Sequence, residues 1–198
     1  MTSPVTTKRG DRGTTMTLGD QRLPKSHPIL EATGRVDALR ARTALLRLRI
    51  LERGDASQKE VAEPLFWLLH CYFLIGTAVN DPECVHPEYR RGDLDGGHLA
   101  HLEAIQTALE ARITLPRSFI VSASNEIAAE ADITATVARD LERSLVALTE
   151  AVPAFDAELI LAFVNRLSDF FYIVARYLEQ GAHIPVDYGV LDAPPEVS

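Results

Sequence analysis

The sequence lacks the excess of positive charge with which proteins bind nucleic acids and anionic membranes. Its 198 residues contain 20 lysines and arginines against 28 aspartates and glutamates, so the formal net charge is -8. Because both partners require a basic surface, this balance argues against generic binding to nucleic acid or to a membrane. The hydrophobic content of 46% is that of one globular domain with a sizeable core.

Cysteine is also scarce, and long charge-free runs are missing. Cys71 and Cys84 have no CxxC spacing, and Cys71 lies in an apolar run where it is expected to be a small core side chain. No apolar stretch reaches the roughly 20 uncharged residues of a membrane span, and the N-terminus is polar where a signal peptide is apolar. We therefore expect a cytoplasmic protein.

The common fingerprints of nucleotide-binding and hydrolytic enzymes are absent. The segment "GDRGTT" is neither GxxxxGK[ST] nor GxGxxG, and there is no GxSxG. Residues 6–25 nevertheless combine glycines, hydroxyls and basic side chains, which suit phosphates because glycine lets backbone N–H groups approach closely. The alternative is a solvated N-terminal arm. His98 and His101 have no convincing further ligands and are expected to be surface histidines rather than a metal site.

Apolar side chains recur at three and four residue intervals from residue 28 onward. The pattern predicts five helices, at residues 28–53, 60–80, 98–113, about 126–151 and 155–180. Short connections and almost no strand pattern predict an all-α fold, a five-helix bundle. The expected organisation is an N-terminal loop (1–27), the bundle (28–182) and a proline-containing tail (183–198).

Three polar groupings stand out on the predicted helices. Six arginines between Arg35 and Arg53 crowd the first helix, as an anion site or a solvated face. Arg139, Glu142 and Arg143 share one face of the fourth helix and are read as an ion-pair ladder when taken alone. Asn165 in the fifth helix needs a hydrogen-bond partner, which a neighbouring helix can supply.

Together these pieces resemble a known family. The segments "TKRGDRGTT", "EATGRVD", "FIV", "RDLER" and "NRLSD", in this order, are similar to motifs of the cobalamin adenosyltransferases of the propanediol-utilisation type. That family transfers the 5′-deoxyadenosyl group of ATP to the cobalt of cob(I)alamin. The resemblance spans residues 7 to about 176, which is nearly the whole domain.

The resemblance implies a set of site residues and partners. ATP with Mg²⁺ and cobalamin would be the bound molecules, held between the subunits of a homotrimer. Phe119 would close the corrin site and keep the lower axial ligand off cobalt, and Asp37 and Arg139 would be catalytic. The residues implied to bind the nucleotide are Thr7, Lys8, Gly10, Asp11, Gly13, Thr14, Thr15, Lys25, Arg139, Glu142 and Asn165.

The sequence departs from the family pattern at three positions. Ala38 replaces a glutamate, and in "ATVARDLER" Ala135 and Asp140 replace two arginines. The first of those arginines would pair with Asp37, so this salt bridge cannot form here. Arg40 or Arg35 could pair with Asp37 instead, or the carboxylate could be solvated.

The altered "SASNE" turn after "FIV" adds a departure near the implied corrin site, whereas the implied ATP contacts are kept. Two functions follow as expectations. One is a working adenosyltransferase, and the other is an ATP-binding homologue with weak or lost transferase activity that acts as a sensor or in cobalamin delivery. A helical bundle without a ligand is a third, weaker alternative.

Overall fold

The computed structural model describes Thr6 and residues 8–192, and within them five long helices form a bundle. The predicted all-α class is confirmed. The helices are α1 (Pro28–Arg53), the short α2 (Ala56–Lys59), α3 (Ala62–Asn80), α4 (Gly96–Glu110), α5 (Glu126–Ala151), α6 (Glu158–Leu178) and the short α7 (Gly189–Asp192).

Local capping chemistry determines where several helices begin. Pro28 occupies the first turn of α1, and His27 accepts the Ile29 N–H. Asp95 and His98 form a reciprocal capping box, so α4 begins at Gly96, two residues before the predicted start. Asp55 and Gln58 form another, which makes α2 a separate short helix ahead of α3.

The core lies between α5 and its two main neighbours, α1 and α6. Helix α1 also packs against α3, and α4 packs against α6. Helix α6 supplies three of the four bulkiest fully buried side chains, Phe163, Phe170 and Phe171. Burial of aromatic side chains of this size contributes about 3 kcal/mol each at the upper end, so α6 is the central element of the bundle.

Helix α3 is apolar enough to raise the question of a membrane. Among the described residues, Ala56–Asn80 is the single helical region that has the length and composition to cross one, with a mean hydropathy of 1.3. Its buried side chains pack against α1, and the Tyr72 hydroxyl lies 3.1 Å from Thr43 Oγ1 inside the core. Cys71 is buried as predicted, and burial raises the pKa of its thiol to about 12.

Two small antiparallel sheets lie outside the helices. Strand β1 (Thr14–Met16) pairs with β2 (Arg22–Pro24), and β3 (Ile120–Val121) pairs with β4 (Ile184–Pro185). The N-terminal segment, for which no regular structure is predicted, is therefore a hairpin over its described part. The first residues of the predicted tail likewise form a strand rather than a free extension.

Candidate functional site

The β1–β2 hairpin brings together several residues of the predicted phosphate loop. Gly13, with φ of +79°, ends the turn that begins at Gly10, and its N–H donates to the Gly10 carbonyl at 3.2 Å. The Lys25 N–H donates to the Gly13 carbonyl at 2.9 Å. A Cβ added at Gly10 would lie 3.1 Å from Lys25 Nζ, so the end of the lysine side chain packs closely on this glycine. The ammonium group of Lys25 therefore lies beside the turn, whose Gly13 N–H is already bonded to the Gly10 carbonyl.

The other members of the predicted loop lie on either side of this turn. Thr14 and Thr15 are half-buried in β1, and Lys8 and Asp11 are exposed before it. Thr14 Oγ1 accepts a bond from Arg22 on β2 at 3.2 Å. Thr7 lies outside the described residues.

The hairpin rests on α1 and α3, beside Asp37. The Leu18 N–H donates to Asn80 Oδ1 at 2.6 Å, and Asn80 Nδ2 donates to Thr33 Oγ1 at 3.0 Å. Next to this contact lies a groove of about 300 Å³, which is lined by Leu18, Asn80, Asp37 and aromatic residues of α3. Asp37 is thus on the same side of the bundle as the hairpin.

Asp37 pairs with Arg40, the first of the two arginines considered as its partner. Arg40 Nη2 donates to Asp37 Oδ1 at 2.8 Å, while Arg35 pairs with Glu31 at 2.8 Å and approaches Asp140 at 3.5 Å. The Asp37 side chain is 61% exposed, so its charge is solvated and the large cost of an unpaired buried carboxylate does not arise.

A second polar region lies on α5 and α6. Arg139 and Phe119 line a cavity of about 420 Å³, with Tyr172 and Arg176 in its wall. The Phe119 side chain is 81% exposed, and its carbonyl accepts the Val186 N–H at 2.9 Å. Ala135 is buried in the same wall, where the smaller side chain leaves room.

Glu142 and Asn165 join these two helices next to Arg139. Asn165 Nδ2 donates to Glu142 Oε1 at 2.9 Å, so the predicted partner from a neighbouring helix is confirmed, although Asn165 is exposed. Arg143 pairs with Asp140 rather than with Glu142. In the described part of the chain no salt bridge joins Arg139, Glu142 and Arg143 to one another, so the ion-pair ladder predicted for this face is not formed.

The cobalamin adenosyltransferase family model matches residues 5–178. This chain belongs to that family. The cobalamin adenosyltransferase of Cupriavidus metallidurans is 33% identical over 184 residues, which cover 90% of this chain and 89% of the relative. The corrinoid adenosyltransferase PduO of Salmonella typhimurium is 31% identical over 180 residues.

Solved structures agree with this assignment. A phenylalanine-to-histidine variant of the PduO-type ATP:corrinoid adenosyltransferase from Lactobacillus reuteri, complexed with cobalamin and ATP, superposes with a TM-score of 0.80 at 25% identity. The match covers 92% of this chain and 96% of that chain. This chain spans 51% of the length of the PduO relatives from Salmonella typhimurium and Citrobacter freundii.

Most arginines of α1 pair with carboxylates, so they form a neutralised face rather than an anion site. Arg42, Arg49 and Arg53 are paired with carboxylates of α1 or α5. Arg47 instead lies over the Phe66 ring at 4.7 Å and donates to the Ala62 carbonyl. The solvated-face alternative therefore describes most of this cluster.

Sequence reasoning missed two groups of residues near the site. Asn80 is the polar end of an apolar helix, and its contact with the hairpin depends on tertiary packing. Arg176 and Glu179, three residues apart on the last turns of α6, are buried and paired at 2.9 Å. Their spacing at the end of the apolar run that begins at Phe170 is a signal that was available in the sequence.

Proposed function

We propose that this protein is an ATP:corrinoid adenosyltransferase that converts cob(I)alamin into adenosylcobalamin. Family membership supports the reaction class. The observation that carries the proposal is the position of Lys25 Nζ beside the turn from Gly10 to Gly13, in the segment that matches the family motif. An ammonium group beside a glycine-containing turn suits the negative charge of a triphosphate.

The reaction is a displacement at the 5′ carbon of ATP. The bond between cobalt and carbon forms as the bond between carbon and oxygen breaks, and the triphosphate leaves with the electron pair. The protein need supply neither a nucleophile nor a general base, because Co(I) of the substrate is the nucleophile. Its residues contribute by aligning the reacting atoms and stabilising the charge that grows on the leaving group.

Lys25 and the turn amides would hold the triphosphate, and Thr7, Lys8, Asp11, Thr14 and Thr15 would complete this contact. Mg²⁺ would arrive with the nucleotide, since it prefers phosphate oxygens and water as ligands. Arg139 would neutralise charge from the opposite side, held next to the Glu142–Asn165 pair. A site closed to water would strengthen each of these interactions.

Phe119 would act at the corrin. Its exposed ring projects at the mouth of the cavity that contains Arg139. An aromatic side chain at that place would displace the lower axial ligand, and a four-coordinate cobalt is easier to reduce to Co(I).

The two halves of this site lie on different pairs of helices, which supports a homotrimer. The hairpin bonds to α1 and α3, whereas Arg139, Glu142 and Asn165 lie on α5 and α6. A neighbouring copy would bring its own hairpin to the α5–α6 face, as in a ring of identical contacts. We further propose that this assembly is cytoplasmic and acts without nucleic acid or membrane.

The second candidate function is an ATP-binding homologue that senses or delivers cobalamin with weak or lost transferase activity. It is favoured by Ala135, which removes the arginine that would pair with Asp37, and by Asp140, which carries the opposite charge to the family residue. The α1–α5 contact between Arg35 and Asp140 supports the first function instead, since it links the same helices with the charges exchanged.

The decisive experiment is an anaerobic absorbance time course with purified protein, MgATP and chemically reduced cobalamin. The transferase predicts loss of the cob(I)alamin band and growth of adenosylcobalamin. Lys25→Ala and Arg139→Ala should each raise the Kd for ATP about tenfold or more, because each removes a charged hydrogen bond. Lys59→Ala, on the exposed face of α2, is the matched control. ATP binding without turnover would support the homologue, and unchanged ATP affinity in both variants would refute the assigned site.

A further inference from the structure

The tip of the β1–β2 hairpin, residues 17–21, is fastened to the loop that follows α3. Besides the Leu18–Asn80 bond, Gln21 Nε2 donates to Glu83 Oε2 at 3.2 Å. A Cβ added at Gly19 would lie 2.8 Å from Asp81 Oδ1, so the tip and the loop meet without room for a side chain. The tip is therefore docked rather than free.

His86 is the one side chain of this loop that bonds two carboxylates at once among the described residues. Its Nε2 lies 2.9 Å from Asp20 Oδ2 on the hairpin tip, and its Nδ1 lies 2.9 Å from Glu88 Oε1 on the loop. Both acceptors need a donor, and only the imidazolium ion carries N–H on both ring nitrogens. Loss of one proton would leave one carboxylate facing a lone pair.

The loop holds the His86 backbone in place. Asp81, which is buried, accepts the Val85 and His86 N–H groups at 2.9 Å each. Arg90 donates to the Asp81 carbonyl. The imidazole is thus presented to Asp20 from a fixed backbone, at a distance set by the fold.

We propose that His86 is a positioning residue for the nucleotide site: its imidazolium form bridges Asp20 and Glu88, and this bridge holds the hairpin in the conformation that binds the triphosphate. The inference rests on the proposed function, because it takes the Gly10–Gly13 turn to be the phosphate site. The length of β1, about 10 Å for three residues, separates the hairpin tip from the Gly10–Gly13 turn.

The surrounding charges favour the protonated form. The charged and titratable groups that face His86 are Asp20 from the hairpin and Asp81, Glu88, Tyr89 and Arg90 from the loop. The hydrogen bonds that His86 donates to Glu88 and Asp20 raise its pKa above the ordinary value. The bridge is therefore complete at low pH and is lost as pH rises through that raised pKa.

The test compares ATP affinity of the full-length wild type, His86→Gln and His98→Gln by calorimetry at about pH 6 and about pH 8.5. ATP and other groups titrate in this range, so the ratio of Kd between variant and wild type at each pH carries the result. We expect about threefold weaker binding for His86→Gln at the lower pH and a ratio near one at the higher pH.

His98→Gln is the matched control, because His98 also pairs with an aspartate but on α4. Its ratio should stay near one at both values. A second measurement needs no ATP. At the lower pH, where the bridge is complete, hydrogen exchange of the Leu18 N–H should be faster in His86→Gln and in Asp20→Asn than in wild type.

The outcomes separate the two proposals. Unchanged Leu18 exchange overturns the bridge even if ATP binds well. Faster exchange with unchanged ATP affinity overturns the positioning role and leaves the proposed function intact. Wild type that fails to bind ATP overturns the proposed function, and the positioning role with it, whatever the exchange rates are. Faster exchange with a pH-dependent affinity ratio supports the inference.

Discussion

Replacing Glu179 by leucine should unfold the protein at a much lower temperature. The Glu179 side chain is fully buried, and its partner Arg176 is 3% exposed. The contact of 2.9 Å between Arg176 Nε and Glu179 Oε2 is not aligned as a hydrogen bond, so its contribution is chiefly electrostatic. Glu179 Oε1 also accepts the Ser124 N–H at 2.8 Å, which fixes the turn after β3.

Arg176 cannot escape to solvent when Glu179 is removed. Burial alone would lower the pKa of Arg176, but the bonds and charges of Asp132 and Glu179 outweigh it and raise that pKa. Asp132 remains at 2.9 Å in the variant and offsets part of the loss. Breaking a buried pair costs about 3 to 5 kcal/mol, so we expect about 4 kcal/mol for Glu179→Leu.

Glu179→Gln separates the two contributions. The amide oxygen can still accept the Ser124 N–H, while the charge is lost, so we expect about half the effect, roughly 2 kcal/mol. Glu150→Gln, on the exposed side of α5, is the control and should change the free energy of unfolding by less than about 0.5 kcal/mol.

The assay is thermal unfolding at neutral pH and equal protomer concentration, since an oligomer's Tm depends on concentration. For a chain of this length, 4 kcal/mol corresponds to a drop in Tm of about 8 to 16 °C. If Glu179→Leu lowered the Tm no more than Glu150→Gln does, the buried pair would contribute nothing and the reasoning would be refuted.

Two further predictions concern thiols and acid stability. Because burial raises the pKa of Cys71 to about 12 while Cys84 is exposed, a thiol reagent should label one cysteine per folded chain and two in denaturant; rapid labelling of both without denaturant would contradict this. The Gln58 N–H and two neighbouring side chains lower the pKa of Asp55 to about 2. This stabilisation is present above pH 3.8 and is lost as pH falls through about 2, so urea unfolding should show wild type losing more stability than Asp55→Asn over that interval.

The sequence was sufficient for the helices but not for the sheets. Apolar side chains at helical spacing identify all five long helices, because burial of one face dominates their energetics. The strands have two or three residues each, too few for an alternating pattern to be read. Their pairing depends on the helices that bring the segments together.

The site was likewise predictable from the sequence only where local patterns determine it. The motif predicts the loop residues and Arg139 as site residues, and the sequence left Arg40, Arg35 or solvent as the partner of Asp37. It could not decide between them, because Arg35 is drawn to Glu31 and Asp140 only once α1 packs on α5. The contacts of Asn80 with Leu18, of His86 with Asp20 and of Glu179 with Ser124 join distant parts of the chain, so no local pattern predicts them.

The pairing of β3 with β4 makes the cavity beside Phe119 depend on the C-terminal segment. The Phe119 carbonyl accepts the Val186 N–H, which follows the last long helix in the chain. The main contacts of the bundle core join α1, α3, α4, α5 and α6, all of which precede β4. A chain shortened before residue 184 would therefore keep the helices of the core and lose the strand that holds Phe119 at the cavity.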